Sequence, residues 1–397
     1  MTDIEEPLAL STVHSDPPIV SHRVLPTVEQ IKREEWERLF GDVAEGYDFF
    51  RTLEASGLEG FGFCYVTVYF EDRLELIAPL FWSDFDLGIG VEGVVQKVLH
   101  TVRRLFPRFL IERTLFCGSP FGENGVIGVA ETSRDKSALL AELVRAMERV
   151  CQEKALTCMM FKDFSENSLG LLEPLSQQGF LKGDSFPNVV LPLPFVTMDD
   201  YLASLGSNTR KDLRRKVRKT LSDWAIEVRV ADHVADLIEP VYELYLNTYN
   251  AGTMRFEKLT REYFLEVSRK MQGQAKFFLF YVDGRLVCFN LCFRHRDLLI
   301  DKFIGMDYTI ARRINLYFYT WYHNVQWCIQ NGVHLYQVGQ TDYEAKVYLG
   351  GRLVPLYFYA KHTNPLLNFL LRLAARFLVP KSGPSLSSFE ADAGAVG

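Results

Sequence analysis

The chain reads as an α+β protein of two successive domains with the same architecture, and three observations carry that reading. Its 397 residues, 48% hydrophobic and 24% charged, have ordinary globular composition and suffice for two cores of roughly 150 to 200 residues each. Strand-like runs open as meanders joined by tight turns, and only then do helices and strands alternate. This order, β-β-β-α-β-α-β, occurs twice without visible identity between the copies, and it suits a mixed central sheet flanked by helices better than a doubly wound parallel sheet.

The elements follow in sequence. Residues 1–22, with Pro7, Pro17 and Pro18, and residues 381–397 lack hydrophobic period and are expected to be disordered. In the first domain (23–195), strands are predicted at 61–70 and 73–82 across Glu71-Asp72, at 109–117, 157–162 and 188–193, with a helix at 135–153 and a short one ending near Gly179. The stretch 118–125 (GSPFGENG) precedes a helix, but its length and proline suit an ordinary surface loop better than a phosphate loop. In the second domain (196–380), strands at 276–282 and 285–293 flank Asp283-Gly284, a strong hairpin signal. A strand at 298–305, a helix at 311–331, a strand at 334–338, a helix at 342–348 and a strand at 353–359 complete it.

Net charge is -6, so the molecule as a whole is not built to neutralise nucleic acid; DNA is not an expected partner, and any anion-binding surface is local. One such surface opens the second domain. In 207–221, Leu213, Val217 and Leu221 recur every fourth residue, while Arg210, Lys211, Arg214, Arg215, Lys216, Arg218 and Lys219 face a single acid, Asp212. A solvated face, anionic headgroups, and coenzyme A phosphates or tRNA are its three readings. Helical stretches 94–106 and 366–379 are also amphipathic and basic; at about 21 Å the second is too short to span a bilayer, so it docks on the core or lies in an interface. Asp3, Glu5 and Glu6 replace the positive charge of a secretory signal, which predicts a cytoplasmic protein, peripheral at the inner membrane face if the helices bind lipid. The seven cysteines lack zinc-type pairing and read as buried thiols, and His295, His323 and His334 lack metal-ligand spacing.

The segment 336–351 (YQVGQTDYEAKVYLGG) crowds polar and titratable groups where a short strand meets a helix. This segment, with the basic helix, the hairpin and the helix 311–331, resembles the Gcn5-related N-acetyltransferase superfamily, and within it the tandem-domain Fem-type acyltransferases. The resemblance covers about residues 25–380 and includes Trp36, Phe49-Phe50 and 53–57 (LEASG). It implies two acetyltransferase-like domains and transfer of an acyl or aminoacyl group, from a thioester or a charged tRNA, to an amine. No cofactor would be bound, and acyl-CoA would be a co-substrate. The turn that cradles the coenzyme A pyrophosphate in such enzymes is glycine-rich; here 305–315 has one glycine, and Arg312, Arg313 and Asn315 are the expected substitutes, joined by Arg210 and Arg214 of the basic helix.

Acyl transfer to an amine needs a neutral nucleophile, donors for the oxyanion and an acid for the leaving group. Tyr343 and Lys346, three apart on one helix, are the expected acid and its partner; the alternative is a packed phenol and a solvated amine. Gln337 and Gln340 would orient substrate. Asp301, a carboxylate in an apolar strand beside Lys302, is the expected base or amine-binding group, against a strand-edge salt bridge. Tyr319, in the aromatic run 316–322, would wall an apolar tunnel or simply fill core. The acceptor to test first is a hydrophobic amine such as a sphingoid long-chain base. The alternatives are Fem-type transfer from aminoacyl-tRNA to an envelope precursor, and a non-catalytic double domain that binds a membrane or partner.

Overall fold

The computed structural model describes residues 19–88, 93–252 and 257–378. Its strands, in chain order, are β1 (Val20–Leu25), β2 (Gly62–Phe70), β3 (Arg73–Asp86), β4 (Ile111–Cys117), β5 (Gly128–Val129), β6 (Cys158–Ser165), β7 (Leu181–Asp184) and β8 (Asn188–Pro192), followed by β9 (Ile226–Ala231), β10 (Ala275–Val282), β11 (Arg285–His295), β12 (Leu298–Met306), β13 (Leu335–Gln337), β14 (Arg352–Val354) and β15 (Leu356–His362). They form two mixed sheets. One has the order β1-β2-β3-β4-β6-β15-β7, with β5 against β3; the other has the order β14-β8-β13-β12-β11-β10-β9.

The meanders form where turn chemistry predicts. Glu71 and Asp72 (φ 48° and 63°) and Asp283 and Gly284 (φ 50° and 75°) both adopt the left-handed backbone of a two-residue hairpin. The final strand of each half, however, does not close its own sheet. β8 enters the second sheet between β14 and β13, and β15 enters the first between β6 and β7. The run expected as one strand at 353–359 is divided at Pro355, which has no N–H for a ladder: β14 stays in the second sheet and β15 crosses to the first. The sheets therefore do not divide at 195/196. The two crossings lie side by side, because the Ser185 N–H donates to the Leu356 carbonyl at 2.8 Å and Asn188 pairs with Val354.

Two further expectations change. Val20–His22, expected to be disordered, begin β1, whose alternating pattern pairs with Tyr65–Phe70 of β2; residues 1–18 and 381–397 of the predicted tails lie outside the described residues. The helix expected at 311–331 is two helices, Tyr308–Ala311 and Leu316–Gln330, divided where Asn315 turns left-handed (φ 49°). Apolar side chains form one core against the helix Lys136–Lys154 and one beneath the basic helix Ser207–Asp223 and the helix Leu316–Gln330. A third spans both halves, joining Trp36, Phe49 and Phe50 to Tyr245, Tyr263 and Phe289.

Candidate active site

β12 and β13 are parallel, and they pair only from Leu298–Leu335 to Ile300–Gln337. Past that point the Val338 N–H donates to Val189 at 2.9 Å and the Val189 N–H to Gly339 at 3.2 Å. The chain after β13 thus follows β8 while β12 continues for six residues along β11, and a wedge opens at the carboxyl ends of the two parallel strands. Such a divergence is where open sheets with flanking helices place ligands.

Asp301 is the first residue inside the wedge. Its carboxylate accepts from the Tyr336 hydroxyl at 2.7 Å and from Asn290 Nδ2 at 3.3 Å, and Asn324 Nδ2 donates to the Tyr336 oxygen at 3.0 Å. Burial pushes the Asp301 carboxyl up to about 6 against the opposing pull of Tyr336 and Lys346. Lys346 comes from the helix Tyr343–Tyr348 and donates from Nζ to the Val338 carbonyl. Burial pushes its ammonium down, opposed by Asp301, Asp342 and Glu123. A buried acid held up and a buried amine held down are the pair that proton transfer near neutral pH requires. Gly339 (φ 76°) supplies the turn beside Lys346, and a Cβ there would lie 4.0 Å from Nζ.

Lys302 faces the other way. A β-bulge opposite Leu291/Cys292 turns both Lys302 and Phe303 toward the seam between the halves. There Lys302 Nζ donates to Glu45 at 2.6 Å, Glu123 at 3.0 Å and the Phe121 carbonyl at 2.6 Å, with 1% of its side chain exposed. Burial alone would lower its proton affinity; Glu123 and Glu45 more than reverse this, so the ammonium stays charged. Glu123 also accepts from Gln337 Nε2 at 3.4 Å and Asn188 Nδ2 at 3.2 Å. The stretch 118–125, expected as an ordinary surface loop, instead inserts into this seam: Ser119, Phe121 and Glu123 are buried.

The structure therefore brings Asp301 and Lys346 together at the wedge, whereas Gln337, expected to orient substrate, turns with Glu123 toward the seam. Gln340 follows the Gly339 turn, and its buried Nε2 has no hydrogen-bond partner; the same is true of Asn290 Oδ1 and Asn324 Oδ1. Tyr343 donates to the Pro187 carbonyl at 2.9 Å, and burial raises its phenol. Tyr319 is not at the wedge: its ring meets Phe280 of β10 edge-on, centroids 6.1 Å apart, on the core side of its helix. Tyr317, two residues earlier on the same helix, has its phenol raised by burial and then by the charges of Asp342 and Asp301.

The expected cofactor residues split into two groups. Arg312, Arg313 and Asn315 occupy the break before the helix Leu316–Gln330; Arg313 lies over Trp224, and Thr220 donates to the Ile314 carbonyl at 2.6 Å. Arg210 and Arg214 belong to the distant end of the basic helix, about 15 Å and 9 Å along its axis from Thr220. Arg210 caps the Ala203 and Leu205 carbonyls, and Arg214 pairs with Asp199. The outer face of that helix forms a shallow concavity of about 450 Å³ lined by Lys211, Arg214, Arg215, Arg218, Lys219 and Ser222.

Tyr336, Asn290, Asn324, Glu45, Glu123 and Tyr317 escaped the sequence reading. A usable signal existed for Asn290, a lone amide within the apolar run of β11; none existed for Glu45 or Glu123, whose neighbours are set by the distant β12. All seven cysteines are free and buried. Among the described residues no group of three or more His, Cys, Asp or Glu side chains is arranged to hold a metal, and no helix is long and apolar enough to cross a membrane.

Residues 27–350 match the FemAB-like family model, described as peptidoglycan biosynthesis/recognition. A Mycobacterium tuberculosis protein provisionally named 8-amino-7-oxononanoate synthase 2 is 25% identical over 329 residues, 80% of this chain and 42% of that protein; the chain thus spans less than half the length of this curated relative. Among solved structures the fold is similar to that of FemX (TM-score 0.55, 12% identity, 87% of this chain and 98% of that one). It is also similar to L-PGS from Bacillus licheniformis (TM-score 0.52, 11% identity, 89% and 98%). A tandem GNAT protein from the clavulanic acid biosynthesis pathway compares likewise (TM-score 0.51, 13% identity, 87% and 99%). With two mixed sheets, a parallel-strand wedge and a family match over most of its length, the chain belongs to the FemAB-like family, and its fold is that of tandem Gcn5-related N-acetyltransferase proteins.

Proposed function

We propose that the protein transfers an acyl group from an acyl-CoA thioester to a primary amine, with the thioester carbonyl in the wedge between β12 and β13. The observation that supports this most is Asp301, a carboxyl that burial raises to about 6 and that is still mostly ionised, as a base must be, at neutral pH, in a site whose Asn290, Asn324 and Gln340 side chains retain unfilled hydrogen-bonding capacity. Asp301 takes a proton from the ammonium of the acceptor, and the neutral amine attacks the carbonyl carbon. As the C–N bond forms, the carbonyl becomes an oxyanion to which Lys346 Nζ donates. Collapse breaks the C–S bond; a phenol, Tyr317 or Tyr343, protonates the departing thiolate, the phenolate so formed takes the remaining extra proton of the former amine nitrogen to leave a neutral amide, and Asp301 returns its proton to solvent. Gln340, whose Nε2 is without a partner, orients the acyl group of the thioester, while Arg312, Arg313 and the helix end at Asn315 receive the donor's phosphates. The aromatic surroundings of the wedge suit a hydrophobic acceptor such as a long-chain base.

The test is release of free thiol from acyl-CoA, supplied with a panel of amines, by wild type and Asp301→Asn. Amine-dependent release that Asp301→Asn abolishes supports the reading; no release with any chain length or amine sinks it. A second reading, transfer from aminoacyl-tRNA to an envelope precursor, is supported by the family description and by the basic concavity of the helix Ser207–Asp223. Its mark is tRNA binding that weakens steeply between 50 and 200 mM salt, on the order of 10³-fold for six phosphate contacts. Indifference to tRNA removes it.

A further inference from the structure

Two helices with outward apolar faces leave the same end of the first sheet. β3 ends there at Asp86, ahead of the helix Gly93–Leu105, and β15 ends there at His362, ahead of the helix Pro365–Leu378. β4 and β6 both begin at this end, so the two exit points are three strand spacings apart, about 14 Å.

The second helix is mounted in an unusual sense. Its polar residue faces the protein: Asn368 donates to the Gly179 carbonyl at 3.0 Å and accepts from the His362 N–H at 3.0 Å. Its apolar residues face out, with Leu366 66%, Phe369 58% and Leu373 50% exposed. The first helix repeats the arrangement. Leu99 is buried and Arg103 ties back to Asp86 and to the Phe109 carbonyl, while Val98, Leu105, Phe106 and Phe109 are exposed. A globular protein rarely leaves so much contiguous apolar surface uncovered.

Charge identifies what covers it. The chain carries a net charge of -6, yet residues 93–110 and 365–378 contain no Asp or Glu. Lys97, Arg104 and Arg372 stand among the apolar residues, and none makes an ion pair among the described residues. An apolar face edged by unpaired cations, on helices about 20 Å long, fits the headgroup boundary of an anionic bilayer, where side chains insert and cations meet lipid phosphate. We propose that this end of the first sheet is a peripheral membrane-binding surface for anionic phospholipid, with both helices lying in the interface. The surface lies in the first sheet, away from the wedge, and the inference holds whichever acyl donor the wedge takes.

The test is co-sedimentation of the full chain with vesicles of phosphatidylcholine alone and with one-third phosphatidylglycerol. Binding is expected to the anionic vesicles only. Phe106→Ser with Phe109→Ser, and separately Leu366→Ser with Phe369→Ser, should each reduce partitioning at least about tenfold. Arg104→Gln and Arg372→Gln should each cost about fivefold. All these positions are exposed, and unchanged circular dichroism and thermal unfolding will show that the fold survives. The proposal is overturned by absence of binding, or by binding that these variants leave intact, which would assign it to the basic helix. It is equally overturned by a dimer in sedimentation velocity that the same variants dissociate, since the face then belongs to a second copy.

Discussion

Replacing Asp301 with Asn should have opposite effects on rate and on stability. The side chain keeps its size, and its amide oxygen can still accept from the Tyr336 hydroxyl, so the network through Asn324 survives. In the wild type, burial moves the carboxyl from 3.8 to about 6, a displacement equivalent to about 3 kcal/mol against the ionised form. Because the folded-state pKa is the higher one, this group favours folding fully below about pH 3.8, and that contribution is lost as pH rises through about 6. Asn carries no such penalty. Relative to wild type, Asp301→Asn should therefore gain about 2.4 kcal/mol between pH 4 and pH 8, read from urea unfolding at each pH. Rate should move the other way. A general base contributes on the order of 10² to 10⁴, so thiol release at pH 8 should fall by that factor, and the wild-type decline of kcat/KM below pH 6, tenfold per unit, should vanish. A variant active within a few-fold of wild type, or a stability difference unaltered between pH 4 and pH 8, would refute the assignment.

Three further outcomes follow from the same geometry. Lys302→Met strands Glu45 and Glu123 in the seam, and urea unfolding should show a loss of about 3 to 5 kcal/mol at pH 8 that shrinks toward pH 4 as Glu45, whose carboxyl burial raises, protonates. Lys346→Met removes the proposed oxyanion donor, and kcat should drop on the order of 10² to 10³ with KM for acyl-CoA little changed; an unaffected kcat would assign Lys346 to holding the Val338 carbonyl alone. Tyr343→Phe loses one hydrogen bond to Pro187, a cost of about 1 kcal/mol in unfolding, whereas Tyr317→Phe leaves stability near wild type. Comparing their turnover numbers decides which phenol serves the thiolate.

Much of this was legible in the sequence because it is local. Left-handed turn residues at Glu71-Asp72 and Asp283-Gly284 mark the hairpins, and a carboxylate in the apolar run of β12 betrays Asp301, since burying it needs a reason. Tyr319 illustrates the limit. Helical spacing places it in an aromatic stripe, but which tyrosine of that stripe lies nearer the wedge depends on how the helix is rotated after the break at Asn315, and the phenol of the stripe that feels the charge of Asp301 is Tyr317, two positions earlier. The exchange of β8 and β15 left still less trace. A strand's alternation records that one face is buried but not which sheet buries it, and only Pro355 hints that the run 353–359 changes partners. Glu45 and Glu123 are silent for the same reason: their ammonium partner lies more than 170 residues away.

The exchanged strands also bear on how substrates reach the wedge. One wall, β13, is laddered to β8, which arrives from the first half, and β15 locks the return crossing between β6 and β7. A hinge rotation of one half against the other would have to rupture these ladders and pull Lys302 from its carboxylates. For the proposed transfer, access and product release would therefore fall to the loops at the rim, because the two backbone walls of the wedge are each laddered to a further strand, β12 to β11 and β13 to β8.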